Sequence, residues 1–571
     1  MAILQRSTTS RAVAAGAAPL SRRRLRAVIP VAVLLLMAIA LRLEGLPGGG
    51  PISNDEGWAI SNGRYLLSLI TNPGNWGAFR GIFSPGLTDH RHHLFPLGND
   101  WKLGHDFLLG TLSALGITPE NLTWYSAVLG IAMVVLLAAL AWRRWGAPAA
   151  AVAGVFAASI PLSVAYGHRL QAEAEGLVAI ALVLYLLDRG FAARPSKRQA
   201  VLTLVAFLAA LTLSYRFLPT LIPLLIVAGL LAWWYRNDSL PPWFSAGRLA
   251  AICLSPALIL VTIYLVVFGA NVLRLPGLPH FVRYWFVRSS AGGGLPFAFF
   301  DFYPRTFLDY AGPALAVALA AAVAALIYNW RKLDPIAAIA LGSLAGTFLF
   351  FSAAHDKAPR VIVICIPLAA LVLARAVTLW RNPLLQWATA LSVCAACLVS
   401  PLAGGSGVSD WSGTGEAGHW LASHPGPLTA HRPLNYLVYV EQKKLQAVEA
   451  VNAGPKWEIM PSDPAHRIVV PVGVLSIADL RQDGVRWVVV DADALYYGEP
   501  FFKQLVACGQ PAAEFRDPAG WSRLQFLEVA DSLHLGYDGV LARRDEALAI
   551  SQGKQVIRIY DLHGLGTTQC A

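Results

Sequence analysis

Two adjacent carboxylates, Asp55 and Glu56, are the residues whose types and position best suit acid–base chemistry in this sequence. They lie shortly after the first long apolar run, in the stretch Ser53-Asn54-Asp55-Glu56-Gly57-Trp58. A carboxylate at a membrane face can accept the proton of a substrate hydroxyl. A structural explanation stays open beside this one, because Ser53 and Glu56 also have the spacing of a helix capping box.

Cationic side chains form a second candidate group. Lys357 and Arg360 lie in His355-Asp356-Lys357-Ala358-Pro359-Arg360, at the predicted outer mouth of an apolar helix. Arg offers directional pairs of hydrogen bonds and Lys a point charge, so the two predict a clamp for a phosphate carried on a membrane lipid. Arg216, at another predicted outer turn, is a further candidate for this clamp. Snorkelling of these long side chains to lipid headgroups is the structural alternative.

Other polar side chains on the same predicted side are weaker candidates for substrate contact. They are His92, His93, Lys102, Arg169 and Arg283. Arg169 could equally form an ion pair with Glu173, four residues later on a helix. Residues 89–93 include metal-ligand types, but such runs more often face an interface or a substrate. A divalent metal is therefore possible but not favoured, and no cofactor is expected to be required. Asp491-Ala-Asp493 has the DxD pattern of metal-dependent sugar transferases, but it follows a predicted strand and is interpreted as a turn.

The composition of the whole chain indicates what kind of protein carries these candidate residues. Of the 571 residues, 56% are hydrophobic and 14% are charged, and the mean hydropathy is +0.53. Soluble domains average about 25% charged residues, and disordered, collagen-like or coiled-coil chains need charge or repeats that this sequence lacks. The composition predicts a polytopic α-helical membrane protein. In such a chain the net charge of +11 reports on membrane sidedness, and no nucleic-acid partner is expected.

A membrane-spanning helix needs about 20 mostly apolar residues, and the sequence contains eleven candidate spans. They are residues 27–45, 122–142, 147–165, 174–188, 199–215, 217–235, 249–270, 311–329, 335–354, 361–379 and 383–402. The segments outside the spans fall into two alternating sets, one for each side of the membrane. The set that includes residues 1–26 has about three times the Lys and Arg density of the other set. The positive-inside rule therefore predicts a multi-pass protein of the bacterial inner membrane with a cytoplasmic N-terminus. An odd number of spans puts the C-terminus outside, and dropping the weakest span, 174–188, would reverse that.

The predicted domains follow from these spans. They are a basic cytoplasmic N-terminus at 1–26, a membrane domain at 27–402 with outer loops 46–121 and 271–310, and an extracytoplasmic domain at 403–571. The last of these, hereafter the tail, alternates helical stretches with strand-like runs at 467–472, 485–490 and 556–560, which predicts an α/β domain. In an oxidising compartment, Cys508 and Cys570 of the tail are expected to form a disulfide.

The order of these features resembles the type C glycosyltransferases. Within that class it is most like the superfamily of protein O-mannosyltransferases and lipid A aminoarabinose transferases. The similar stretches are NDEGWAISNGRYLLSLI, AYGHRLQAEAEGLVAIALVLYLLDR, SYRFLPTLIPLLI and HDKAPRVIVICIPLAALVLA. The resemblance covers about residues 27–400 and depends on the order, sidedness and spacing of these stretches together.

The resemblance implies transfer of a sugar from a polyprenyl-phosphate donor to an acceptor hydroxyl of a protein, lipid or glycan, outside the cytoplasmic membrane. It implies that Asp55 is the base, that Glu56 is its supporting neighbour, and that Lys357 and Arg360 lie near the donor phosphate. Direct displacement with a single base would invert the anomeric configuration. The family's usual Lys-Pro-Pro in the first outer loop is missing from this sequence, and Lys102 or the nearby histidines are candidates to replace that cation.

Two alternative functions stay open at this point. A transporter or flippase for a lipid-linked sugar would predict inverted repeats and broken helices near the membrane midplane. A non-catalytic protein of envelope assembly would use the tail to bind a peptide or a glycan. The long outer loops favour an active site at the membrane surface, in contact with membrane lipids, over either alternative.

Overall fold

A computed structural model provides the structure of the protein. It describes residues 22–44, 46, 50–51, 54–71, 91–93, 102–190, 197–214, 217–234, 300–354, 357, 359–403, 413–441, 449–452, 456–461, 463–471, 476–497, 500–516, 536–550 and 556–565.

The described part of the chain before residue 404 is helical apart from one short strand. Its α-helices are α1 Arg22–Leu43, α2 Asn54–Thr71, α3 Leu103–Ala114, α4 Pro119–Trp145, α5 Ala147–Ser159, α6 Pro161–Gly167, α7 Glu173–Gly190, α8 Lys197–Leu213, α9 Leu218–Trp234, α10 Phe302–Ala311, α11 Pro313–Tyr328, α12 Pro335–Ala353, α13 Ile366–Val377 and α14 Pro383–Ala403. Two 3₁₀ helices, Trp330–Lys332 and Pro359–Cys365, flank α12.

The apolar helices of this part agree with a membrane location. Two described helices, α4 and α12, are long and apolar enough to cross a membrane, and α5 with α6 adds a third if the bent pair is one span. Shorter apolar stretches lie in α1, α8, α9, α11, α13 and α14. The predicted count of eleven spans is not confirmed by these lengths, and the candidate at 249–270 lies outside the described residues.

The predicted span at 147–165 is broken at Ile160. Helices α5 and α6 meet there at an angle of 59°, because a residue that precedes proline, here Pro161, disfavours helical geometry. Ile160 accordingly has an extended backbone, with φ −60° and ψ 128°. Arg42 of α1 packs against this break, fully buried, and donates a hydrogen bond of 2.8 Å to Ser163 Oγ.

The tail has α/β structure around one mixed sheet of eight strands. The strands are β1 Arg91–His93, β2 Leu428–Ala430, β3 Glu449–Asn452, β4 Lys456–Met460, β5 Ile468–Pro471, β6 Trp487–Val490, β7 Ala513–Arg516 and β8 Val556–Asp561. The helices are α15 Thr414–Ser423, α16 Pro433–Val440, α17 Ile477–Gln482, α18 Ala492–Tyr497, α19 Pro500–Cys508 and α20 Gly536–Ile550. The strand order is β1-β3-β4-β5-β2-β6-β8-β7, in which β2 is parallel to β5 and β6 and the other pairs are antiparallel. The three runs predicted to be strands are β5, β6 and β8.

Strand β1 comes from the first outer loop rather than from the tail. His92 pairs with Ala450 and His93 pairs with Glu449 in antiparallel register, at one edge of the sheet. The predicted tail, 403–571, therefore lacks one strand of its own sheet. A strand of three residues is too short to leave a period-two pattern, which is why the sequence analysis treated this stretch as a loop.

Three glycines let helix α2 touch its neighbours at backbone distance. A Cβ atom on Gly63 would lie 1.7 Å from the carbonyl oxygen of Asp106 in α3, and one on Gly110 would lie 2.0 Å from the carbonyl carbon of Gly63. A Cβ atom on Gly57 would lie 2.4 Å from the carbonyl oxygen of Leu434 in the tail helix α16. Helix α2 is thus packed between α3 and the tail.

A Gly63→Ala variant is expected to lose about 1–3 kcal/mol of stability, because the added methyl group must push α2 and α3 apart. The measurement is thermal unfolding of the full-length protein in detergent. Gly564→Ala is the matched control, since a Cβ atom there would lie 3.6 Å from its nearest neighbour, Asp561 O. Equal midpoints for the two variants would contradict the close crossing of α2 and α3.

Candidate active site

Asp55 lies next to two cationic side chains that come from distant parts of the chain. Its Oδ2 atom is 3.7 Å from Lys102 Nζ and 3.4 Å from Arg360 Nη1. Lys102 directly precedes α3, and Arg360 lies in the 3₁₀ helix Pro359–Cys365. The side chains of Lys102 and Arg360 are 4% and 13% exposed, whereas that of Asp55 is 38% exposed. The three residues form a charged group that is open to solvent mainly at the carboxylate.

The position of Asp55 favours its ionised form for two reasons. Cations within about 4–6 Å stabilise a carboxylate, and Lys102 and Arg360 both meet that distance. Asp55 also lies in the first turn of α2, where the helix dipole contributes about 0.3–1 kcal/mol. Ser53 lies outside the described residues, so the capping box stays a prediction.

Glu56 is turned inward, away from the exposed face that Asp55 occupies. It is 1% exposed, and its Oε1 atom accepts a hydrogen bond of 3.2 Å from the backbone N–H of Leu170. Leu170 belongs to the connection between α6 and α7, so Glu56 ties the outer-loop helix α2 to the membrane helices. This contact suits a supporting role better than a direct role in chemistry.

A buried histidine lies behind this pair of carboxylates. His105 of α3 is 1% exposed, with Nδ1 2.7 Å from Glu175 Oε1 and Nε2 3.2 Å from the Leu170 carbonyl oxygen. Tyr125 donates a hydrogen bond of 3.0 Å to the same Glu175 oxygen. With Glu175 ionised, both ring nitrogens face acceptors, and both bonds form together when His105 is an imidazolium.

Opposing effects act on the pKa of His105. Burial lowers it, but the charge and hydrogen bond of Glu175, helped by Asp106, outweigh burial and the repulsion from Lys102, so the net pKa is raised above its usual value. A raised pKa in the folded state means that proton binding stabilises the fold.

We expect His105 to make stability depend on pH. Its contribution should be fully present below about pH 6.5, the unfolded pKa, and should be lost as the pH rises through the raised folded pKa. The thermal midpoint of the wild type should therefore fall more steeply over that range than the midpoint of His105→Gln. The exposed His563 provides the control, since His563→Gln should keep the wild-type slope. Equal slopes for the wild type and His105→Gln would contradict the imidazolium assignment.

Lys357 is fully buried and caps a helix. Its ammonium donates to the carbonyl oxygens of Phe351, Ser352 and Ala354 at 3.1, 2.7 and 2.6 Å. These carbonyls lie at the C-terminal end of α12, where the last four have no partner inside the helix. Nζ also lies 5.6 Å from the centre of the Tyr303 ring.

This placement changes the predicted phosphate clamp. An ammonium group can donate three hydrogen bonds, and Lys357 makes three to the carbonyl oxygens at the end of α12. A phosphate contact from Lys357 would require those bonds to open. Among the described side chains, the cations that lie beside Asp55 are Lys102 and Arg360, and the role of Lys357 at a phosphate stays a prediction.

The other predicted contact residues are spread over the chain. Arg169 is 3% exposed, and its guanidinium lies 5.6 Å from the ring centre of Tyr166. His92 and His93 belong to strand β1. Two further candidates, Arg216 and Arg283, lie outside the described residues.

Three predictions about the tail and about metals have separate outcomes. Asp491 accepts a hydrogen bond of 2.7 Å from the backbone N–H of Ala494 directly after β6. Helix α18 begins at Ala492, so the predicted strand-to-loop turn is a strand-to-helix junction. Cys508 is disulfide-bonded, whereas Cys570 lies outside the described residues, so their pairing stays a prediction. Among the described side chains, no group of three His, Cys, Asp or Glu could hold a metal ion, and the expectation that no metal is required stays untested.

Arg64 is a residue of this region that the sequence analysis missed. Its Nε and Nη2 atoms donate to Ser113 Oγ at 2.9 and 2.7 Å, and Nη1 donates to the carbonyl oxygens of Val438 and Glu441 at 3.3 and 3.1 Å. Burial lowers the pKa of Arg64 to about 10, and Glu441 opposes that effect. Arg64 thus joins α2, α3 and the tail. The sequence contained one signal for this role. Gly57 and Arg64 are seven residues apart and so lie on the same face of α2, the face that packs against the tail.

Comparison with known proteins gives matches in structure only. No family model matches this sequence, and no curated protein sequence matches it. The chain is similar to ArnT from Cupriavidus metallidurans in the apo state, with a TM-score of 0.46 and 16% identity over 94% of this chain and 98% of that one. A structure of the same ArnT bound to undecaprenyl phosphate gives 0.44 and 17%, over 73% and 69%.

A second protein matches at the same level. The Archaeoglobus fulgidus oligosaccharyltransferase in the apo form gives a TM-score of 0.47 and 12% identity, over 84% of this chain and 72% of that one. Both matched proteins are type C glycosyltransferases, the class that the sequence resembles. The likeness is weak in identity and in TM-score, so the geometry around Asp55 carries the function proposed below.

Proposed function

We propose that this protein is a membrane glycosyltransferase that moves a sugar from a polyprenyl-phosphate donor to an acceptor hydroxyl. The observation that supports it is the contact of Asp55 with Lys102 and Arg360, at 3.7 and 3.4 Å. A carboxylate beside two cations offers a base and an anion-binding pair in one place. The apolar helices around this group suit a donor carried on a lipid.

Lys102 and Arg360 bind the donor phosphate in this mechanism. When the phosphate arrives, its negative charge shares the two cations with Asp55. The carboxylate then loses part of its ion pairing, which makes it a stronger base. The basicity of Asp55 thus rises only once the donor is in place, so acceptor activation waits for donor binding.

The transfer is a single displacement. The acceptor hydroxyl gives its proton to Asp55 while its oxygen attacks the anomeric carbon of the sugar. The bond from that carbon to the phosphate oxygen breaks, and its electron pair leaves on the polyprenyl phosphate, where Lys102 and Arg360 stabilise the added charge. One displacement inverts the anomeric configuration. The proton leaves Asp55 through its exposed side, and the group is ready for another donor.

The reaction takes place on the extracytoplasmic face of the inner membrane. The basic N-terminus and the basic alternate loops favour a cytoplasmic location for their side of the membrane. Asp55 follows the first span and therefore lies on the opposite side. Helix α2, which carries Asp55, also packs directly against the tail.

Purified full-length protein in lipid vesicles, supplied with a polyprenyl-phosphate sugar and a hydroxyl acceptor, tests this proposal. We expect a glycosylated acceptor with inverted anomeric configuration, measured by NMR, together with an equal amount of free polyprenyl phosphate. Movement of the donor across the vesicle membrane without product would indicate a flippase instead. Product with retained configuration would contradict the single displacement.

A further inference from the structure

The centre of the tail's sheet has the topology of a ligand crevice. Strands β2, β5 and β6 are parallel, with β2 between the other two. From β2 the chain continues to β5, the neighbour of β2 on one side. It then crosses over to β6, the neighbour of β2 on the other side, so the direction in which strands are added to the sheet reverses between β2 and β6. In open α/β sheets, ligands bind beyond the carboxyl ends of the strands at such a reversal. The segments that begin at His431 and Asp491 leave the sheet at this point.

Three polar side chains of different character meet in this crevice. His431 and Arg432 follow β2, Asp491 follows β6, and all three are partly exposed. The parallel register pairs Ala430 with Val489, so His431 and Asp491 leave the sheet side by side. Burial lowers the pKa of His431, Asp491 opposes that shift and Arg432 adds to it. A carboxylate, a guanidinium and an imidazole therefore share one small region of surface.

Two buried polar atoms beside the crevice have no hydrogen-bond partner within the part of the chain that the structure describes. They are Tyr436 Oη and Asn435 Oδ1, on residues that are each 1% exposed. The Tyr436 hydroxyl is within electrostatic range of Asp491 and Arg432. Most buried polar groups are hydrogen-bonded, and an unsatisfied one costs about 1–3 kcal/mol. The Tyr436 hydroxyl is therefore a group that a ligand in the crevice would satisfy after a small shift of its buried ring.

The crevice borders the proposed catalytic group. Asn435 Nδ2 donates a hydrogen bond of 3.4 Å to the Pro51 carbonyl oxygen, and a Cβ atom on Gly57 would lie 2.7 Å from Asn435 N. Pro51 and Gly57 precede and follow Asp55 in the chain. Three of the crevice residues, His431, Arg432 and Tyr436, thus belong to the tail segment that packs on the start of α2.

We propose that this crevice, formed by His431, Arg432, Tyr436 and Asp491, binds a carbohydrate portion of the acceptor. Its role in a reaction rests on the proposed function, whereas binding itself does not. Arg432 only donates hydrogen bonds, an ionised Asp491 only accepts them, and the His431 and Tyr436 side chains can do both. Such a mixed set matches the hydroxyl groups of a sugar, each of which both donates and accepts.

Other ligand classes fit this crevice less well. A free phosphate group would meet one guanidinium, that of Arg432, against the opposing charge of Asp491, so it gains less here than beside Lys102 and Arg360. An extended peptide binds by adding a strand to a free sheet edge, and the edges of this sheet are β1 and β7, at the ends of the strand order. The crevice lies at its centre.

Binding can be measured without any transfer reaction. We would use saturation-transfer NMR on the full-length protein in detergent, with methyl glycosides of glucose, mannose, galactose and N-acetylglucosamine as probes. Arg432→Gln and Asp491→Asn should each raise the Kd of the bound glycoside about tenfold, the effect of about 1.4 kcal/mol. The asparagine keeps an oxygen that can accept the Ala494 N–H bond, so the start of α18 remains capped. Arg516→Gln, in the edge strand β7, is the matched control and should bind as the wild type does.

Transfer assays then separate this inference from the proposed function. With an accepted glycoside, Arg432→Gln and Asp491→Asn should raise the acceptor KM about tenfold and leave kcat and the donor KM unchanged. Wild-type values for both variants, in a protein that transfers sugar, would overturn the crevice and leave the function intact. Crevice-dependent binding of glycosides by a wild type that transfers no sugar would overturn the function and leave the binding site. The inference is also overturned if none of the four glycosides binds, or if Arg516→Gln weakens binding equally.

Discussion

Replacing Asp55 with asparagine is expected to lower kcat for sugar transfer by about 10²–10⁴-fold, the contribution of a well-placed general base. The amide has nearly the same shape as the carboxylate but cannot take a proton from the acceptor hydroxyl. The same change removes the negative charge that Lys102 and Arg360 share. The carboxylate then no longer competes with the donor phosphate for these cations, so the donor should bind more tightly while turnover falls.

Two measurements distinguish this result from simple misfolding. Initial rates with varied donor give kcat and the donor KM, and equilibrium binding of polyprenyl phosphate gives its Kd. A misfolded variant would lose binding and turnover together, whereas Asp55→Asn should lose only turnover. Asp545→Asn, at an exposed position of α20, is the matched control with wild-type kinetics. Full turnover by Asp55→Asn would remove Asp55 from the mechanism.

Replacing Arg360 with glutamine is the second change with a large expected effect. Loss of one donor that stabilises developing charge lowers kcat by about 10²–10³-fold, and Arg360 is one of two cations at this position. We expect kcat/KM for the donor to fall by at least that factor, because ground-state binding of the phosphate weakens as well. Arg360→Lys keeps the charge and should recover part of the loss.

An exposed arginine beyond α13 provides the control for this prediction. Arg381 is exposed and lies between α13 and α14, so Arg381→Gln should keep the wild-type kcat/KM. Combining Arg360→Gln with Asp55→Asn tests the coupling between the two side chains. If the cation is shared between donor and carboxylate, the donor Kd of the double variant should differ from the product of the single effects. Strict additivity would contradict the sharing.

The parts of the fold that the sequence predicts are those with a local pattern. Apolar runs of helical length located α4 and α12, and runs of β-branched residues located β5, β6 and β8. The Asp55–Glu56 pair was found because it opens an amphipathic helix directly after an apolar run. Each of these features is encoded within about twenty consecutive residues, which is the range that periodicity covers.

The contacts that complete the site join distant residues, and for that reason no local pattern reports them. Lys102 was a weak candidate from its loop, and only the folded chain brings it beside Asp55. Lys357 was a strong candidate from its type and position, but the end of α12 uses its protons. Arg64 was overlooked because its partners, Ser113 and two backbone carbonyls of the tail, lie far from it in the sequence.

The pairing of β1 with β3 has a consequence for how the chain is made. His92 is synthesised long before Ala450, and the helices from α3 to α14 are made between them. The first outer loop therefore holds an unpaired strand through most of synthesis, a state that invites wrong partners. A ribosome that stops early leaves this sheet without β3 and leaves α2 without its support from α16. Translation of the tail is thus a condition for assembly of the first outer loop, so chains truncated before β3 are released without a finished site.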